Sequence, residues 1–229
     1  MARVWGLASH REIATFPIPG AVQSLAFFPK RDLLAIASES AVWLWDTRTF
    51  ERIRELPAAF RNVRFSPDGK YVCVTHVLAR FHLPTTQLER GWMNTSGLSI
   101  IDVANLKLFN TVLLDNVDSG AANPWGVVCS VDGGRLIVAH AGTHEISVID
   151  RPALHERLAR VAKGEKAGVS TSLAEVPNDL SFLVGIRLRV QLPGNGPRSL
   201  CVAGDKAVAG MYFSDELAVV PMSDPTMQA

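Results

Sequence analysis

Cysteines are scarce in this sequence of 229 residues, which contains only Cys73, Cys129 and Cys201. They lie far apart within apolar runs, and an odd number without Cys-x-x-Cys spacing argues against a disulfide framework or a zinc site. The Cys-x-x-Cys-His motif that attaches haem covalently is also missing. The sequence therefore predicts buried, unreactive thiols at all of these positions.

Long hydrophobic runs and an excess of charge of one sign are lacking as well. No apolar run reaches the roughly 20 residues that cross a bilayer, and residues 1–6 lack the charged-then-apolar pattern of a signal peptide. The 23 Lys and Arg residues nearly balance the 22 Asp and Glu residues, so we expect no general attraction to nucleic acid or to membranes. Hydrophobic residues make up 48% of the chain, which favours a globular protein with one domain over residues 1–229.

Motifs of the common catalytic sites are missing too. The sequence contains no Gly-x-Ser-x-Gly elbow, no His-Glu-x-x-His helix, no phosphate-binding P-loop and no Rossmann fingerprint. Gly194 and Gly196 belong to a turn rather than to a phosphate loop, because neither a Lys-Ser/Thr pair nor a helix follows them. These absences favour a protein that is not an enzyme, and they assign no catalytic residue, metal ligand or cofactor.

A repeated hairpin is the main positive signal. Residues 28–38 align without gaps with residues 66–76 and 130–140, and a shortened copy occupies residues 199–212. Each copy has an apolar strand before it, then a turn rich in Pro, Asp and Gly, then an alternating strand. Because those turn residues reverse the chain, the pattern predicts a β-hairpin in each copy.

A third strand follows each of the four hairpins, and a fourth strand follows three of them. The strands of a unit are named A, B, C and D in chain order. The predicted C strands are 41–46, 98–102, 146–150 and 217–221. The predicted D strands are 51–56, 107–114 and 183–192. Four strands recurring in units of about 40 residues predict an all-β propeller of four-stranded antiparallel blades, with about four blades readable.

Two insertions interrupt this period. One covers residues 77–96 between a B and a C strand, and the other covers residues 151–182 between a C and a D strand. Leu154, Leu158 and Val161 fall on one face at helical spacing, so the second insertion predicts a short helix packed on a blade. His155 is expected at the surface of this helix.

The N-terminal residues 4–16 align with the C and D strands at 43–56. This alignment leaves two alternatives: the N-terminal strand completes the last blade of a small ring of about four blades, or the chain is a segment of a larger ring, commonly one of seven blades. We favour the segment, because residues 4–7 would duplicate the C strand already supplied by residues 217–221.

Several motifs resemble a known family. The Ser-Pro-Asp-Gly-Lys-Tyr-Val-Cys-Val-Thr run at 66–75, Gly-Pro-Arg-Ser-Leu at 196–200 and Ile-Ser-Val-Ile-Asp at 146–150 resemble the YVTN-type, YncE-like β-propeller repeats of bacteria. The Trp45-Asp46 pair is similar to the signature of WD40-like repeats, although the Gly-His partner of that signature is missing. The resemblance covers nearly the whole chain and implies a β-propeller fold.

A second resemblance is more distinctive. Residues 75–94, together with Gly-Ala-Ala-Asn-Pro-Trp-Gly at 120–126, resemble propellers of exported bacterial proteins that are coupled to cytochrome c or di-haem peroxidase-like domains. That resemblance implies a periplasmic or extracellular setting, with a protein partner or attached domain such as a cytochrome.

Propeller topology predicts where a binding surface would lie. The B–C and D–A connections share one rim, and candidate arginines, histidines and aromatics are expected to converge there. These candidates are Arg61, His76, Arg80, His82, Arg90, Trp92, Asn123, Trp125, His140, His144 and Arg198. Arginine binds carboxylate or phosphate and tryptophan is enriched at interaction hot spots, so the rim suits a partner protein or an anionic ligand.

Other interpretations of these residues stay open at this stage. Arg61 and Arg198 would also serve to bridge blades, and the tryptophans and strand-end histidines would also serve as core residues. A redox accessory to a cytochrome or haem peroxidase is a second function. A metal-assisted lactonase or lyase using His76, His140 and Asp118 is a third.

Overall fold

The computed structural model describes residues 1–28, 32–57, 62–79 and 94–222. Within these ranges the chain is mostly β-strand and forms five antiparallel sheets. Four of the sheets are successive blades of a propeller, and a two-stranded hairpin precedes them. The prediction of an all-β propeller with about four readable blades is therefore confirmed.

The strands follow the chain in order from the hairpin to the last blade. The hairpin and blade 1 consist of β1 (Ala2–Trp5), β2 (Glu12–Phe16), β3 (Val22–Phe27), β4 (Leu33–Ser38), β5 (Ala41–Asp46) and β6 (Arg52–Pro57). Blade 2 consists of β7 (Asn62–Phe65), β8 (Tyr71–Ala79), β9 (Asn94–Asp102) and β10 (Lys107–Leu113). Blades 3 and 4 consist of β11 (Pro124–Cys129), β12 (Arg135–His140), β13 (Glu145–Asp150), β14 (Arg187–Gln191), β15 (Pro197–Ala203), β16 (Lys206–Met211) and β17 (Glu216–Pro221).

The A–B turn of blade 2 shows why the Ser-Pro-Asp-Gly sequence at 66–69 reverses the chain. The Ser66 hydroxyl donates a hydrogen bond to the Asp68 carboxylate at 2.6 Å, and the Lys70 amide donates to the same carboxylate at 3.2 Å. Gly69 has a φ of +69°, and a Cβ at this position would lie 1.8 Å from the Phe28 ring. Glycine is thus required both by the turn and by the close approach of the preceding blade.

The C–D turns are built on the aspartate that ends each C strand. Asp46 accepts hydrogen bonds from the backbone amides of Arg48 and Thr49, and Asp102 accepts from those of Ala104 and Asn105. In blade 3 the equivalent Asp150 instead accepts from the amide of Ala153 and caps a helix. The first two aspartates thus close turns, and the third uses the same geometry to start a helix.

That helix, α1 (Arg151–Ala162), buries the predicted face of Leu154, Leu158 and Val161 between blades 2 and 3. A 3₁₀ turn (Val176–Asn178) follows it. In the described ranges, no helix is both long enough and apolar enough to span a membrane.

Two details of this insertion differ from the prediction. His155 is not a surface residue, because its ring stacks on Tyr71 with a centroid distance of 4.2 Å and an interplanar angle of 23°. The last D strand begins at Arg187 rather than at residue 183, because the chain between the 3₁₀ turn and β14 runs through further turns.

In the first insertion, β8 and β9 continue to pair as far as Ala79 and Asn94, so residues 77–79 and 94–96 are strand. Residues 80–93 lie outside the described part of the chain. The predicted connection between the B and C strands of blade 2 is thus shorter than residues 77–96.

Each sheet packs on the next through its own apolar layer. One layer joins the hairpin to blade 1, and three more join blades 1 and 2, 2 and 3, and 3 and 4. Among the described residues, no apolar layer joins the hairpin to blade 4. Strand β2 pairs with β1 and not with β17, so the alternative in which it completes the last blade is not observed. That the sheets form a segment of a larger ring stays a prediction.

Candidate functional site

The candidate rim is formed by the D–A connections 114–123 and 192–196 and the B–C turns 141–144 and 212–215. The predicted site residues divide into two groups. Those outside the described residues are Arg61, Arg80, His82, Arg90 and Trp92. Those with described positions are His76, Asn123, Trp125, His140, His144 and Arg198.

Arg198, at the start of β15, lies among three aromatic rings. Its Cζ atom is 3.8 Å from the centroid of Tyr212, 4.7 Å from Trp125 and 5.1 Å from Phe213. The rings of Tyr212 and Phe213 meet edge to face at 5.0 Å. We call these four residues the Arg198 cluster. It joins the first strand of blade 3 to the first strand and B–C turn of blade 4, and cation–π attraction holds the guanidinium in place.

The Arg198 cluster combines an exposed apolar surface with a positive charge. Tyr212 and Phe213 are 59% and 63% exposed, which is high for adjacent aromatic residues. The Nε atom of Arg198 is buried and has no hydrogen-bond partner. None of the ion pairs found in the described ranges includes Arg198. The cluster therefore offers a guanidinium that has no carboxylate partner among the described residues, beside two exposed aromatic side chains.

His144 connects the two blades below this cluster. Its Nδ1 atom accepts a hydrogen bond from the Gly196 amide at 3.0 Å, and its carbonyl accepts one from the Gln191 side chain at 3.0 Å. Because Nδ1 accepts, the proton of the neutral imidazole lies on Nε2. His144 thus fixes the 192–196 connection that leads into Arg198.

Asn123 acts through its backbone. Its φ of +60° turns the chain into β11, and its carbonyl accepts a hydrogen bond from the Ala141 amide at 3.0 Å. This bond ties the D–A connection of blade 3 to the B–C turn of the same blade. Asn123 therefore positions the neighbouring Trp125.

His76 and His140 lie inside their blades. They are 3% and 0% exposed, and the Nε2 atom of each is 2.8 Å from a serine hydroxyl on the adjacent C strand, Ser99 and Ser147 respectively. Burial lowers the pKa of His76 to about 4. Burial, together with the nearby positive charges of Arg187 and Arg189, lowers the pKa of His140 to about 3. Both imidazoles are therefore neutral near pH 7 and neither reaches the open rim.

Metal-ligating side chains are not gathered into a cluster within the described ranges. No group of three or more His, Cys, Asp or Glu side chains there is arranged to hold a metal ion. Asp118 is exposed on its loop, whereas His76 and His140 are buried within separate sheets. Of these three residues, only Asp118 is exposed to solvent in this structure.

A buried polar network shapes the 114–123 connection, and its carboxylate anchor is Asp115. Its side chain accepts hydrogen bonds from the amides of Ser96 at 2.6 Å and Ala121 at 2.7 Å. Burial raises the pKa of Asp115 despite these bonds. The carboxylate therefore folds its own loop rather than facing a ligand.

Arg187 and Arg189, on strand β14 of blade 3, also hold the 114–123 connection in place. Arg187 donates to the carbonyl of Leu114 and to the side chain of Asn116, and burial lowers its pKa to about 10. Arg189 forms a buried ion pair with Glu145 and donates to the Gly120 carbonyl at 2.7 Å. Sequence reasoning missed both arginines, although their alternate spacing on a D strand places them on the same face of the sheet.

Comparison with known proteins supports the fold. No protein-family profile matches the chain. Hydrazine synthase subunit beta of Kuenenia stuttgartiensis is 28% identical over 163 residues, which are 70% of this chain and 40% of that protein. The chain thus spans less than half the length of this curated relative.

Solved structures give the same result for the fold. The hydrazine synthase structure of Kuenenia stuttgartiensis superimposes with a TM-score of 0.81 at 22% identity, covering 96% of this chain and 64% of that one. The dihydro-heme d1 dehydrogenase NirN in complex with DHE gives a TM-score of 0.60 at 16% identity, covering 94% and 38%. Both are β-propeller proteins, so the propeller fold is shown.

Proposed function

We propose that this chain is a non-enzymatic binding propeller whose Arg198-bearing rim docks a partner protein within a multi-subunit assembly. The Arg198 cluster is the observation that carries the proposal. An arginine without a carboxylate partner attracts an acidic side chain of a partner, while exposed tyrosine and phenylalanine rings supply apolar contact area. Arginine and tyrosine are also enriched among the residues that dominate binding energy at protein interfaces.

The surroundings of the cluster support a preformed docking surface. His144, Asn123, Asp115 and the two arginines of β14 hold the rim connections through hydrogen bonds and a buried ion pair. A surface ordered before binding loses less conformational entropy when a partner arrives. The buried positions of His76 and His140 fit the same proposal, because there they stabilise the blades beneath the rim.

The sequence relative supports the assembly part of the proposal. It is named as a subunit, hydrazine synthase subunit beta, and therefore works with other chains. Membership of the YVTN-type family, a bacterial origin and a periplasmic location also belong to this proposal and rest on the motif resemblances.

The test is affinity purification from the source organism, followed by binding measurements with the recovered partner. Arg198→Gln, and separately Tyr212→Ala combined with Phe213→Ala, should each weaken the partner's affinity by about tenfold or more. Arg48→Gln is the matched control, because Arg48 is exposed on the opposite rim. Equal affinity of the Arg198 variant, the aromatic variant and the wild type, with unchanged thermal stability, would contradict the proposal.

A redox accessory function is the second candidate. The relatives favour it, since one is a subunit of hydrazine synthase and one solved neighbour is a dihydro-heme d1 dehydrogenase. In this case the docked partner is a haem protein such as a cytochrome. Titration with a reduced c-type cytochrome should then show saturable binding that depends on Arg198, and binding of a non-haem partner alone would reject this candidate.

A further inference from the structure

Two cysteines from neighbouring blades face the same apolar layer. Cys73 lies on β8 of blade 2, and Cys129 ends β11 of blade 3. Val127 and Cys129 both pack in the layer between these blades, whereas Val128 between them faces the layer on the other side. Cys73 belongs to that same layer, so both thiols point into one interface.

The two strands are fixed close together at this point. Cα atoms of β8 and β11 approach within 8 Å, and the Thr75 hydroxyl donates a hydrogen bond to the Trp125 carbonyl at 2.6 Å. Cys73 is two residues before Thr75, on the same face of β8. The hydrogen bond therefore holds the two strands together two residues from Cys73 and four residues from Cys129.

The two thiols interact directly and differ in character. Their mutual hydrogen bond raises the pKa of Cys73, which is 1% exposed. The same hydrogen bond, with a smaller contribution from the Arg151 charge, lowers the pKa of the half-buried Cys129. Cys129 is therefore the more exposed of the two thiols, and Cys73 is the buried one behind it.

We propose that Cys73 and Cys129 are a paired dithiol that a small-molecule disulfide, such as glutathione disulfide, converts into a covalent link between blades 2 and 3. The Cys129 thiolate attacks one sulfur of glutathione disulfide, and one glutathione thiolate leaves and takes up a proton. Cys73 then loses its proton and attacks the Cys129 sulfur, which expels the second glutathione. Two electrons pass from the cysteines to glutathione disulfide, and one protein disulfide and two glutathione thiols result.

Cys201 provides an internal contrast. It is exposed on β15, on the face of blade 4 that is turned away from blade 3, and the other two cysteines are held in a different layer. The same oxidant should give Cys201 only a glutathione adduct or a bond between chains. A Cys201→Ser background removes that reaction and leaves the paired thiols to be observed alone.

The test exposes the folded Cys201→Ser protein to excess glutathione disulfide and follows its intact mass and non-reducing peptide map. We expect the loss of two hydrogen atoms, a Cys73–Cys129 peptide link and a rise in melting temperature of roughly 5 °C or more. With Cys73→Ser added, Cys129 should instead retain one glutathione. With Cys129→Ser added, the buried Cys73 should stay reduced.

Three outcomes would overturn the proposal. The first is that both thiols stay reduced in the folded protein while the urea-unfolded protein reacts. The second is a stable glutathione adduct on Cys129 although Cys73 is present. The third is a disulfide that forms only between chains.

Discussion

At the scale of single residues, one position at the end of each B strand is paired with one position on the C strand beside it. In blade 1 the Trp43 indole donates to the Ser38 hydroxyl at 3.1 Å, and in blades 2 and 3 an imidazole meets a serine hydroxyl instead. In blade 4 the equivalent residues are Met211 and Ala218, which pack by apolar contact alone. The residue types at these two positions therefore differ from blade to blade, but in each blade the B-strand residue lies beside the C-strand residue.

The two buried histidines predict an acid-sensitive fold. Their pKa values of about 4 and about 3 lie below the ordinary value of 6.5, so the unfolded chain binds protons first as the pH falls. Stability should therefore be greatest above pH 6.5 and be lost as the pH falls toward 4, by about 2–3 kcal/mol per histidine at pH 4.5. Urea unfolding between pH 7 and pH 4.5 measures this loss.

Variants separate the histidine contribution from that of the carboxylates. His140→Gln keeps a group that can hydrogen-bond to Ser147 but does not titrate, so its stability should fall less steeply with pH. His10→Asn is the control, because His10 is exposed and sits at a φ of +52°, which asparagine tolerates. An unchanged pH slope in His140→Gln would show that the imidazole is not buried in its neutral form.

At the scale of elements, strand β14 joins blades 2 and 3 through its arginines. Glu145 and Arg189 form an ion pair whose side chains are only 7% and 15% exposed. Removing one partner from a buried pair leaves an uncompensated charge, whereas removing both does not.

Arg189→Met should therefore lower the free energy of unfolding by about 3 kcal/mol, and the double variant with Glu145→Gln should recover part of that loss. Arg48→Met is the matched control, since the ion pair of Arg48 with Asp32 is exposed and should change stability little. Urea unfolding of Arg189→Met, Glu145→Gln and the double variant measures the coupling. Strict additivity of the two buried substitutions would contradict the ion-pair interpretation.

At the scale of the whole molecule, stability should vary along the chain. Each apolar layer joins only consecutive sheets, so interactions run between neighbours as in a linear repeat protein. Strands β12 and β13 are central in blade 3, with paired strands on both sides, whereas β17 and the hairpin strands each have one paired neighbour.

Amide hydrogen exchange should therefore be about tenfold or more faster in β1, β2 and β17 than in β12 and β13. Peptide-level mass spectrometry at neutral pH measures the difference within one sample, with the central strands as internal reference. Uniform protection across all of these strands would show that the chain unfolds as one unit and that the end sheets gain stability from contacts beyond those between neighbours.

The sequence predicted the features that depend on nearby residues. The hairpins follow from local turn chemistry around Asp68 and Gly69, and the buried helix face follows from the spacing of Leu154 and Leu158. The Arg198 cluster was predicted only in part: Arg198 and Trp125 were identified as site residues, but Tyr212 and Phe213 were not, because their approach to Arg198 depends on how a B–C turn folds.

Contacts between blades could not be predicted in this way. Cys73 and Cys129 are far apart in the sequence and meet only because consecutive sheets stack face to face. The same stacking places His155 of α1 against Tyr71 of blade 2, which reverses its predicted exposure. No local pattern encodes the distance between two blades, so their shared surfaces emerge only in three dimensions.

The helix cap at Asp150 has a consequence for how this fold tolerates change in length. The carboxylates of Asp46 and Asp102 each accept a backbone amide two residues later and close a short turn. The Asp150 carboxylate accepts an amide three residues later and begins the long connection that contains α1. The strands on either side, β13 and β14, still pair in regular register across that connection. The end of a C strand is therefore a position where residues can be inserted. The aspartate there can begin either a short turn or a long connection with a helix, and the strands of the blade pair in the same way.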